Sequence, residues 1–448
     1  MNAFFAAYCR AFQTAFHLLM PFFPYRMPEI LNNVREIPGK LSERNVSAVL
    51  LVTDSALRRS GVTSALEEAL RDAGVRCTVY DKTVANPTIA DAEAAMQAYR
   101  AGECGAVIGF GGGAALDCAK AVAVQAARPD KTLRDLKGIL KVHAKLPPVF
   151  AVPTTAGTGS EATAAAILVD ERTRHKFQIS DFCLIPSYAV LDARDTVSLP
   201  PFFTATTGLD ALTHAVEAYI GRSTTRYTRR ASVEAVRLIF RFLERAYRDG
   251  GDLEARKGML RASYLAGTAF TRSFVGYCHC VAHTLGGRYN VPHGLANAVL
   301  LPHVLRAYGS SAWRPLKDLS VAVKLADERT PDFVAAERFI RAVTDMERRL
   351  DIPEKFDCIR PEDIAQMARY AAREGNPLYP VPRLMDAREL TRFYVATAEN
   401  LGDLAETAEN LDGLTETAKN LDSLAETAEN VWKPLKYRPL RGNKGTTS

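Results

Sequence analysis

Five side chains that can bind a divalent metal ion lie in two short stretches of the chain: Asp210, His214, His279, His283 and His293. The first two are four residues apart, as are the next two, and on a helix this spacing places both side chains of a pair on one face. A turn predicted at Gly286 and Gly287 would bring the fifth side chain, that of His293, close to the other four. A carboxylate and several imidazoles can enclose one ion and leave coordination positions for a substrate oxygen. The spacing predicts a metal site and leaves open which of the five groups lies outside it.

The alternative is that these are ordinary core and surface histidines. That interpretation is favoured for a single histidine, but two pairs at helical spacing favour a metal site. A buried aspartate is also costly unless it is paired or metal-bound. Cys278 and Cys280 flank His279 in sequence and should point away from it on a helix, and His303 is interpreted as packing. We therefore leave these three residues out of the predicted site.

A glycine-rich motif, GFGGGAALDCAK, indicates a second site at residues 109–120. A predicted strand runs through Gly111, Gly112 and Gly113 into a predicted helix. The free N–H groups and the positive end of the dipole at a helix N-terminus can bind a pyrophosphate. The alternative is that the glycines serve backbone geometry alone, since GxGxxG is absent.

Two further segments extend this predicted nucleotide site. Asp54 ends the predicted strand SAVLLVTD, a position from which a carboxylate can bond an adenosine ribose and repel a 2′-phosphate, which favours NAD over NADP. The loop PTTAGTGSE, residues 153–161, offers hydroxyls and glycines to phosphate or ribose. The alternative for this loop is a strand-to-helix turn capped by Thr158 or Ser160.

The elements that must position these residues change character along the chain. Short apolar strands alternate with amphipathic helices up to about Leu199, a pattern typical of a parallel sheet covered by helices. Beyond the turn-rich segment DARDTVSLPP, only helical stretches follow. We predict an α/β dinucleotide-binding domain at residues 28–199 and an all-α metal-binding domain at residues 200–395. A cleft between two such domains is a common ligand site.

The two ends of the chain are predicted to be appendages. Residues 1–27 carry aromatic and apolar side chains at helical spacing, and polar residues interrupt the run, which argues against a signal peptide or a membrane span. We predict a helix packed against this protein or a copy of it, with membrane-surface or partner contact as the alternative. Residues 396–448 contain a decapeptide repeat, predicted to be a helical or partly disordered appendage, with self-association as the alternative.

Composition excludes several classes of protein. The chain has 448 residues, of which 47% are hydrophobic and 24% charged, the balance of a soluble globular protein. Its net charge of +6 is not gathered in a basic run, so a nucleic-acid partner is not expected. Eight cysteines without a CxxC pair indicate reduced thiols and a cytoplasmic location.

The motifs resemble those of the iron-containing (group III) alcohol dehydrogenases, a family that includes lactaldehyde reductase, also called propanediol oxidoreductase. They occur in the family's order over roughly residues 28–395. The matching segments are VTD at 52–54, NPT at 86–88, GGGAALDCAK at 111–120, PTTAGTGSE at 153–161, GLDALTHAVEAY at 208–219 and HCVAHTLGGRYNVPHG at 279–294. The resemblance implies a dehydroquinate synthase-like architecture with Fe²⁺ between the domains, Zn²⁺ as the alternative metal, NAD, and a homodimer or larger homo-oligomer.

The resemblance also assigns residues. It implies four metal ligands: Asp210, His214, His279 and His293. His283 is then left near the nicotinamide as the catalytic proton-transfer residue. The implied cofactor contacts are Asp54, Asn86, Gly111, Gly112, Gly113, Asp117, Thr154, Thr155, Thr158 and Lys176. Two departures are Ala114, where the family usually has serine, and the basic segment GRSTTRYTRR after the metal helix.

We therefore expect hydride transfer between NAD and a small-molecule substrate, a primary alcohol or its aldehyde, with the ion as Lewis acid. The size of the substrate pocket is expected to depend on Phe270, Phe274 and Tyr277. The alternatives are a zinc-dependent polyol dehydrogenase, a dehydroquinate-synthase-like lyase, or a non-catalytic scaffold that keeps the fold. The occupied ligand positions argue against the scaffold.

Overall fold

The computed structural model describes residues 1–172 and 175–399. The strands found there are β1 (Glu29–Leu31), β2 (Ala48–Val52), β3 (Arg76–Tyr80), β4 (Ala106–Gly111), β5 (Gly138–Ile139), β6 (Val149–Pro153), β7 (Ala165–Asp170), β8 (His175–Ser180) and β9 (Tyr188–Val190). The α-helices found there are α1 (Ala3–Leu19), α2 (Ile37–Ser42), α3 (Ser55–Arg59), α4 (Ser64–Asp72), α5 (Ile89–Ala101), α6 (Gly113–Ala127), α7 (Pro201–Ile220), α8 (Arg226–Arg248), α9 (Leu253–Ser273), α10 (Tyr277–Tyr289), α11 (His293–Tyr308), α12 (Ser310–Ala322), α13 (Asp332–Arg349), α14 (Pro361–Gly375) and α15 (Ala387–Thr397). The decapeptide-repeat tail, apart from its first residues, lies outside the described residues.

The first half is built on a six-stranded sheet in which all strands are parallel, in the order β1-β9-β6-β4-β2-β3. Both faces are covered, because side chains alternate along each strand: Leu50 and Val52 join one core with α5 and α6, whereas Val49 and Leu51 join the other with α2 and α4. The predicted α/β fold with a parallel sheet is confirmed. Since β4 lies between β2 and β6, the carboxyl ends of these three strands meet at one edge.

A second, smaller sheet was not predicted. It has the order β5-β8-β7, and β7 and β8 form an antiparallel pair. Phe177 and Ile179 of β8 are buried in the core that includes α6, and the alternate residues Lys176 and Gln178 line a cavity. The sheet therefore forms one wall of that cavity.

The second half is helical, as predicted, from α7 onward. Helix α7 is buried along most of its length from Thr204 to Ile220, which makes it the central helix of this region. Glycines let the neighbouring helices approach closely. A Cβ at Gly258 of α9 would lie 2.2 Å from Phe242 of α8, and a Cβ at Gly208 of α7 would lie 2.3 Å from Leu243.

The turn predicted at Gly286 and Gly287 is wrong. Both glycines lie inside α10, which ends at Tyr289 with Asn290 in the left-handed conformation at φ 58°. Asparagine adopts this conformation more readily than most residues, and Pro292 then precedes the first turn of α11. The turn is therefore made by residues 290–292, and His293 begins the next helix.

The predicted N-terminal helix is present as α1 and packs against this chain. Gln13 donates from Nε2 to the carbonyl oxygens of Pro377 (3.1 Å) and Tyr379 (2.7 Å). Arg10 donates to the carbonyl oxygens of Val381 (2.8 Å) and Pro382 (2.9 Å). Across residues 1–172 and 175–399, no helix combines the length and the hydrophobicity that a membrane crossing requires.

Two matched glycine substitutions test how the loop after β6 is held. A Cβ at Gly267 of α9 would lie 2.7 Å from the carbonyl oxygen of Gly159, whose own φ is +62°. We expect Gly267→Ala to lower the free energy of unfolding by about 1–3 kcal/mol. Gly287→Ala, with nothing within 4 Å of its Cβ, should be neutral or stabilising by up to about 1 kcal/mol. Denaturant titration measures both, and equal losses would contradict the predicted close contact.

Candidate metal centre

Three helices bring four of the five predicted metal-binding side chains together. Asp210 and His214 come from α7, His279 from α10 and His293 from the first position of α11, and one ligand atom of each lies within 4.8 Å of all the others. Gly294 permits this approach, because a Cβ there would lie 2.3 Å from the carbonyl oxygen of Thr206 on α7.

The spacing of these groups suits a shared ion better than direct contact. Oδ1 of Asp210 lies 3.5 Å from Nε2 of His293 and 3.9 Å from Nε2 of His279. Its other oxygen, Oδ2, lies 3.9 Å from Nδ1 of His214. These separations are too long for hydrogen bonds. Ligands that sit about 2.1 Å from one ion lie roughly 3–4 Å from each other, which is the range seen here.

Two buried nitrogen atoms without hydrogen-bond partners among the described residues indicate that the site fits a metal ion. Nδ1 of His214 and Nε2 of His279 are buried and have no hydrogen-bond partner within the described part of the chain. A buried polar atom without a partner is costly, and a cation beside these lone pairs would remove the cost. The chemistry of the set, three imidazoles and one carboxylate, suits iron and zinc alike.

The imidazoles are held in the neutral form that metal binding requires. Burial lowers the pKa of His214, and lowers that of His279 well below its usual value. Burial also lowers the pKa of His293 to about 3, although Asp210 opposes this shift. At neutral pH each ring therefore keeps a lone pair, even though His293 is 28% exposed.

Glu217 supports His279 from behind and was missed by sequence reasoning. Its Oε2 lies 2.6 Å from Nδ1 of His279, and the carboxylate also accepts the backbone N–H groups of Gly276 (2.7 Å) and Cys278 (2.8 Å). Such a partner orients a metal-binding histidine. Burial raises the pKa of Glu217 to about 8, and a neighbouring cation would lower it again. Its position seven residues after Asp210 on the same helix is the signal that could have identified it.

Asn297 is a second residue that sequence reasoning missed. Its Nδ2 donates to Oδ1 of Asp210 at 2.7 Å and lies 3.2 Å from Nε2 of His293. The side chain is fully buried. It stands four residues after His293, the spacing that places both on one face of α11. Asn297 therefore fixes the Asp210 carboxylate relative to that histidine.

His283 lies beside the cluster and outside the group of four. Its ring centroid is 6.1 Å from that of His279 and 5.2 Å from that of His293. Its Nδ1 lies 2.6 Å from Oε1 of Glu374, which also accepts the hydroxyl of Tyr379 at 2.7 Å. His283 and Glu374 line a cavity of about 650 Å³. No spacing signal links Glu374 to His283, because they are 91 residues apart.

The glycine turn has the geometry of a phosphate-binding helix start. Gly112 is the N-cap of α6 and no side chain caps its N–H groups, which leaves them available to an anion. A Cβ at Gly113 would lie 2.8 Å from Thr158, so the loop after β6 lies directly against the turn. The N–H of Thr154 donates to the carbonyl oxygen of Gly111 in the same turn at 3.0 Å. The side chain of Thr155 would lie 3.4 Å from a Cβ at Gly112.

The other predicted cofactor residues are placed in different ways. Asp54 caps α3 at the end of β2, accepting the N–H groups of residues 56 and 57 at 2.9 Å. Asn86 donates to Asn290 at 2.6 Å. Asp117 is occupied within the protein, since it accepts the Ser160 hydroxyl (2.7 Å) and the N–H of residue 167 (3.0 Å). Lys176 lines the same cavity as His283, and burial lowers its pKa.

Tyr277 does not line a substrate pocket, contrary to the sequence-based expectation. Its ring is fully buried, and its hydroxyl donates to Oδ1 of Asn376 at 2.8 Å and accepts the N–H of Met385 at 2.8 Å. It lies at the first position of α10, where it packs into the helical region. Phe270 and Phe274 do line a cavity.

Comparison with known proteins agrees with this geometry. Residues 31–193 match the family described as iron-containing alcohol dehydrogenase, and residues 204–398 match the C-terminal part of the Fe-containing alcohol dehydrogenase family. The 1,3-propanediol dehydrogenase of Klebsiella pneumoniae is 37% identical over 351 residues, which are 77% of this chain and 90% of that protein.

Solved structures share the fold. A crystal structure of 1,3-propanediol oxidoreductase has a TM-score of 0.80 at 34% identity, covering 83% of this chain and 98% of that one. The structure of sulfoacetaldehyde reductase from Bifidobacterium kashiwanohense in complex with NAD⁺ has a TM-score of 0.74 at 26% identity, covering 84% of this chain and 99% of that one. The resemblance seen in the sequence is therefore confirmed: this chain belongs to the iron-containing alcohol dehydrogenase family.

Proposed function

We propose that this enzyme interconverts a primary alcohol and its aldehyde, using Fe²⁺ held by Asp210, His214, His279 and His293 and NAD bound at the glycine turn. The observation that carries the proposal is the convergence of these four side chains, with two buried imidazole nitrogens that lack a partner within the described residues. When bound, the ion supplies Lewis-acid polarisation of the substrate oxygen. The donor set alone suits both iron and zinc. We favour iron because the family that this chain matches is iron-containing.

The assignment of NAD rests on the sheet edge where β2, β4 and β6 end. Asp54, the glycine turn and Thr154 all lie at this edge, and ligands of parallel sheets bind outside the carboxyl ends of the strands. When bound, the nicotinamide accepts or supplies the hydride. The NAD⁺ complex of the sulfoacetaldehyde reductase supports the choice of cofactor. A carboxylate at position 54 favours NAD over NADP, because it would repel a 2′-phosphate.

The residues around His283 are proposed to move the substrate's proton. Nδ1 of His283 is held by Glu374, and Glu374 is held in turn by Tyr379, so the ring has a fixed orientation and its Nε2 remains for the substrate side. His283 lines the 650 Å³ cavity. An imidazole suits proton transfer near neutral pH. His283 would therefore pass the hydroxyl proton between the substrate and the solvent in this cavity.

The test is aldehyde-dependent oxidation of NADH by protein purified without oxygen and loaded with Fe²⁺. We expect turnover of primary aldehydes with NADH, slower turnover with NADPH at equal concentration, and loss of activity after chelation. Zinc loading in a parallel sample distinguishes the two metals. If the protein bound metal and NADH yet turned over no aldehyde or polyol, the enzyme proposal would fail and the scaffold interpretation would be favoured.

The eight cysteines support a reducing compartment, and we propose the cytoplasm. None of them forms a disulfide, and all eight lie within the described residues. The pair nearest the metal centre is buried, with Cys278 Sγ against the carbonyl oxygen of Asn297 and Cys280 Sγ against that of Tyr277. The expected homodimer or larger homo-oligomer rests on the family resemblance alone.

A further inference from the structure

A second cavity, of about 110 Å³, lies between the small sheet, the end of α9 and the N-terminal residues. Its walls are mainly apolar, and six aromatic side chains line it: Phe16, Tyr25, Phe182, Phe270, Phe274 and Tyr379. Asp181 also lines it, but its carboxylate already accepts the backbone N–H groups of residues 142, 143 and 183. The cavity is therefore suited to an apolar group.

This cavity adjoins the proposed reaction site on two sides. The ring of Phe270 stacks on the ring of His214, with centroids 4.2 Å apart. Tyr379 donates its hydroxyl to Glu374, the residue that holds His283. Gln178 lines both this cavity and the larger one. An alcohol whose oxygen reaches the metal centre could therefore place its carbon chain here.

The outer wall is supplied by the N-terminal extension. The ring of Phe16 meets that of Phe274 edge-on, with centroids 5.1 Å apart. Phe23 joins Phe16 (5.3 Å) to Phe182 (5.2 Å), and Tyr25 meets Phe182 at 4.8 Å. The family match begins at residue 31, so Phe16, Phe23 and Tyr25 lie outside the matched residues.

The wall is fixed in place from both sides. Arg10 and Gln13 tie α1 to the carbonyl oxygens of residues 377–382, the segment that carries Tyr379. Phe274 caps α9 with a φ of +63°, a region that bulky residues rarely occupy and that costs free energy. The surrounding contacts therefore hold its ring against Phe16.

We propose that the N-terminal extension completes the substrate pocket and that Phe16 is a specificity-determining residue for primary alcohols and aldehydes with an apolar tail. The inference rests on the proposed alcohol dehydrogenase function and adds the substrate class. A dry cavity of about 150 Å³ accommodates benzene, and this smaller one suits a tail of about three to five carbons. Shorter substrates would leave the aromatic wall without contacts.

The experiment is a chain-length series, ethanal to hexanal, with NADH and the iron-loaded full chain. For the unaltered enzyme we expect kcat/KM to rise about fourfold for each added methylene. Phe16→Ala should weaken this dependence of kcat/KM on chain length. We expect kcat/KM to fall by about tenfold or more for hexanal and by less than twofold for ethanal. Phe4→Ala, on the same helix at a side chain that is 87% exposed, is the matched control and should leave the slope unchanged.

A binding measurement separates a pocket effect from a catalytic or folding defect. Hexanamide, an unreactive amide of similar shape, should bind the NADH-loaded enzyme about tenfold more weakly in Phe16→Ala, measured by calorimetry, with the Kd for NADH unchanged. Phe16→Leu, which keeps an apolar side chain, should restore part of the slope.

Three results would overturn the inference: an equal loss for all aldehydes, an unchanged slope, or higher hexanal activity in Phe16→Ala, which would mean that the ring obstructs the pocket. Absence of turnover by the unaltered enzyme with any aldehyde would instead reject the proposed function.

Discussion

Replacing His293 by alanine is expected to abolish tight metal binding and to lower kcat/KM by about a thousandfold. The ion contributes several kcal/mol of transition-state stabilisation, and each 1.36 kcal/mol corresponds to about a factor of ten. His293 supplies one of four convergent ligand atoms, and alanine leaves Asp210 without its nearest imidazole, at 3.5 Å. Metal content by mass spectrometry and the aldehyde assay measure the two effects separately.

His303→Ala provides the matched control, because His303 lies on the same helix and also has its pKa lowered by burial. It should retain the metal and most of the activity. A thermal-unfolding measurement adds a readout independent of turnover. An ion present at a hundred times its Kd stabilises the folded state by about 2.7 kcal/mol, so chelation should lower the Tm of the unaltered protein and of His303→Ala. It should leave the Tm of His293→Ala nearly unchanged. Full metal content in His293→Ala would contradict the assigned ligand set.

Much of this arrangement could be predicted from local patterns. The continuous apolar runs of β2, β4 and β6 indicated buried parallel strands, and the i, i+4 pairs on α7 and α10 indicated side chains on one face of a helix. These signals depend only on neighbours in sequence. They do not state which helix faces meet, so the choice of His283 as the residue outside the ligand set came from the family resemblance. In the structure, His283 lies outside the group of four and pairs with Glu374 at the cavity wall.

What could not be predicted depends on contacts between distant segments. Glycine commonly ends helices, which predicts a turn at Gly286 and Gly287. Gly286 instead lies inside α10, where a Cβ would come within 3.2 Å of Nζ of Lys176 on β8. The aromatic periodicity of α1 predicted a helix but not its role as a wall against Phe274. The antiparallel pair β7 and β8 is local in sequence, and it was missed because β8 alternates between core and cavity and so lacks the continuous apolar run of a strand buried on both faces.

Glu217→Gln is expected to weaken metal binding by about 10- to 100-fold, the usual effect of losing a partner behind a metal-binding histidine. The amide has nearly the same shape, but its single oxygen can accept only one of the N–H groups of Gly276 and Cys278, which donate to different oxygens of the carboxylate, so we expect a loss of about 1–3 kcal/mol in stability with the fold retained. As far as the metal is concerned, the substitution changes the charge of the carboxylate and its 2.6 Å contact with Nδ1 of His279. The metal Kd, measured by competition with a chelator of known affinity, should rise, and kcat at saturating metal should fall less than the Kd rises.

Glu217→Ala separates this orienting role from a purely structural one. Alanine also leaves two buried backbone N–H groups without their acceptor, each costing about 1–3 kcal/mol, so this variant should lose stability as well as metal affinity. Glu347→Gln changes another buried carboxylate, on α13, and should alter neither the metal Kd nor kcat. Equal metal affinity in Glu217→Gln and the unaltered enzyme would mean that Glu217 serves only as a hydrogen-bond acceptor for the backbone N–H groups at the start of α10. A similar loss of affinity in both variants, with a smaller loss of stability in the glutamine variant than in the alanine variant, would show that the carboxylate acts on the metal through His279.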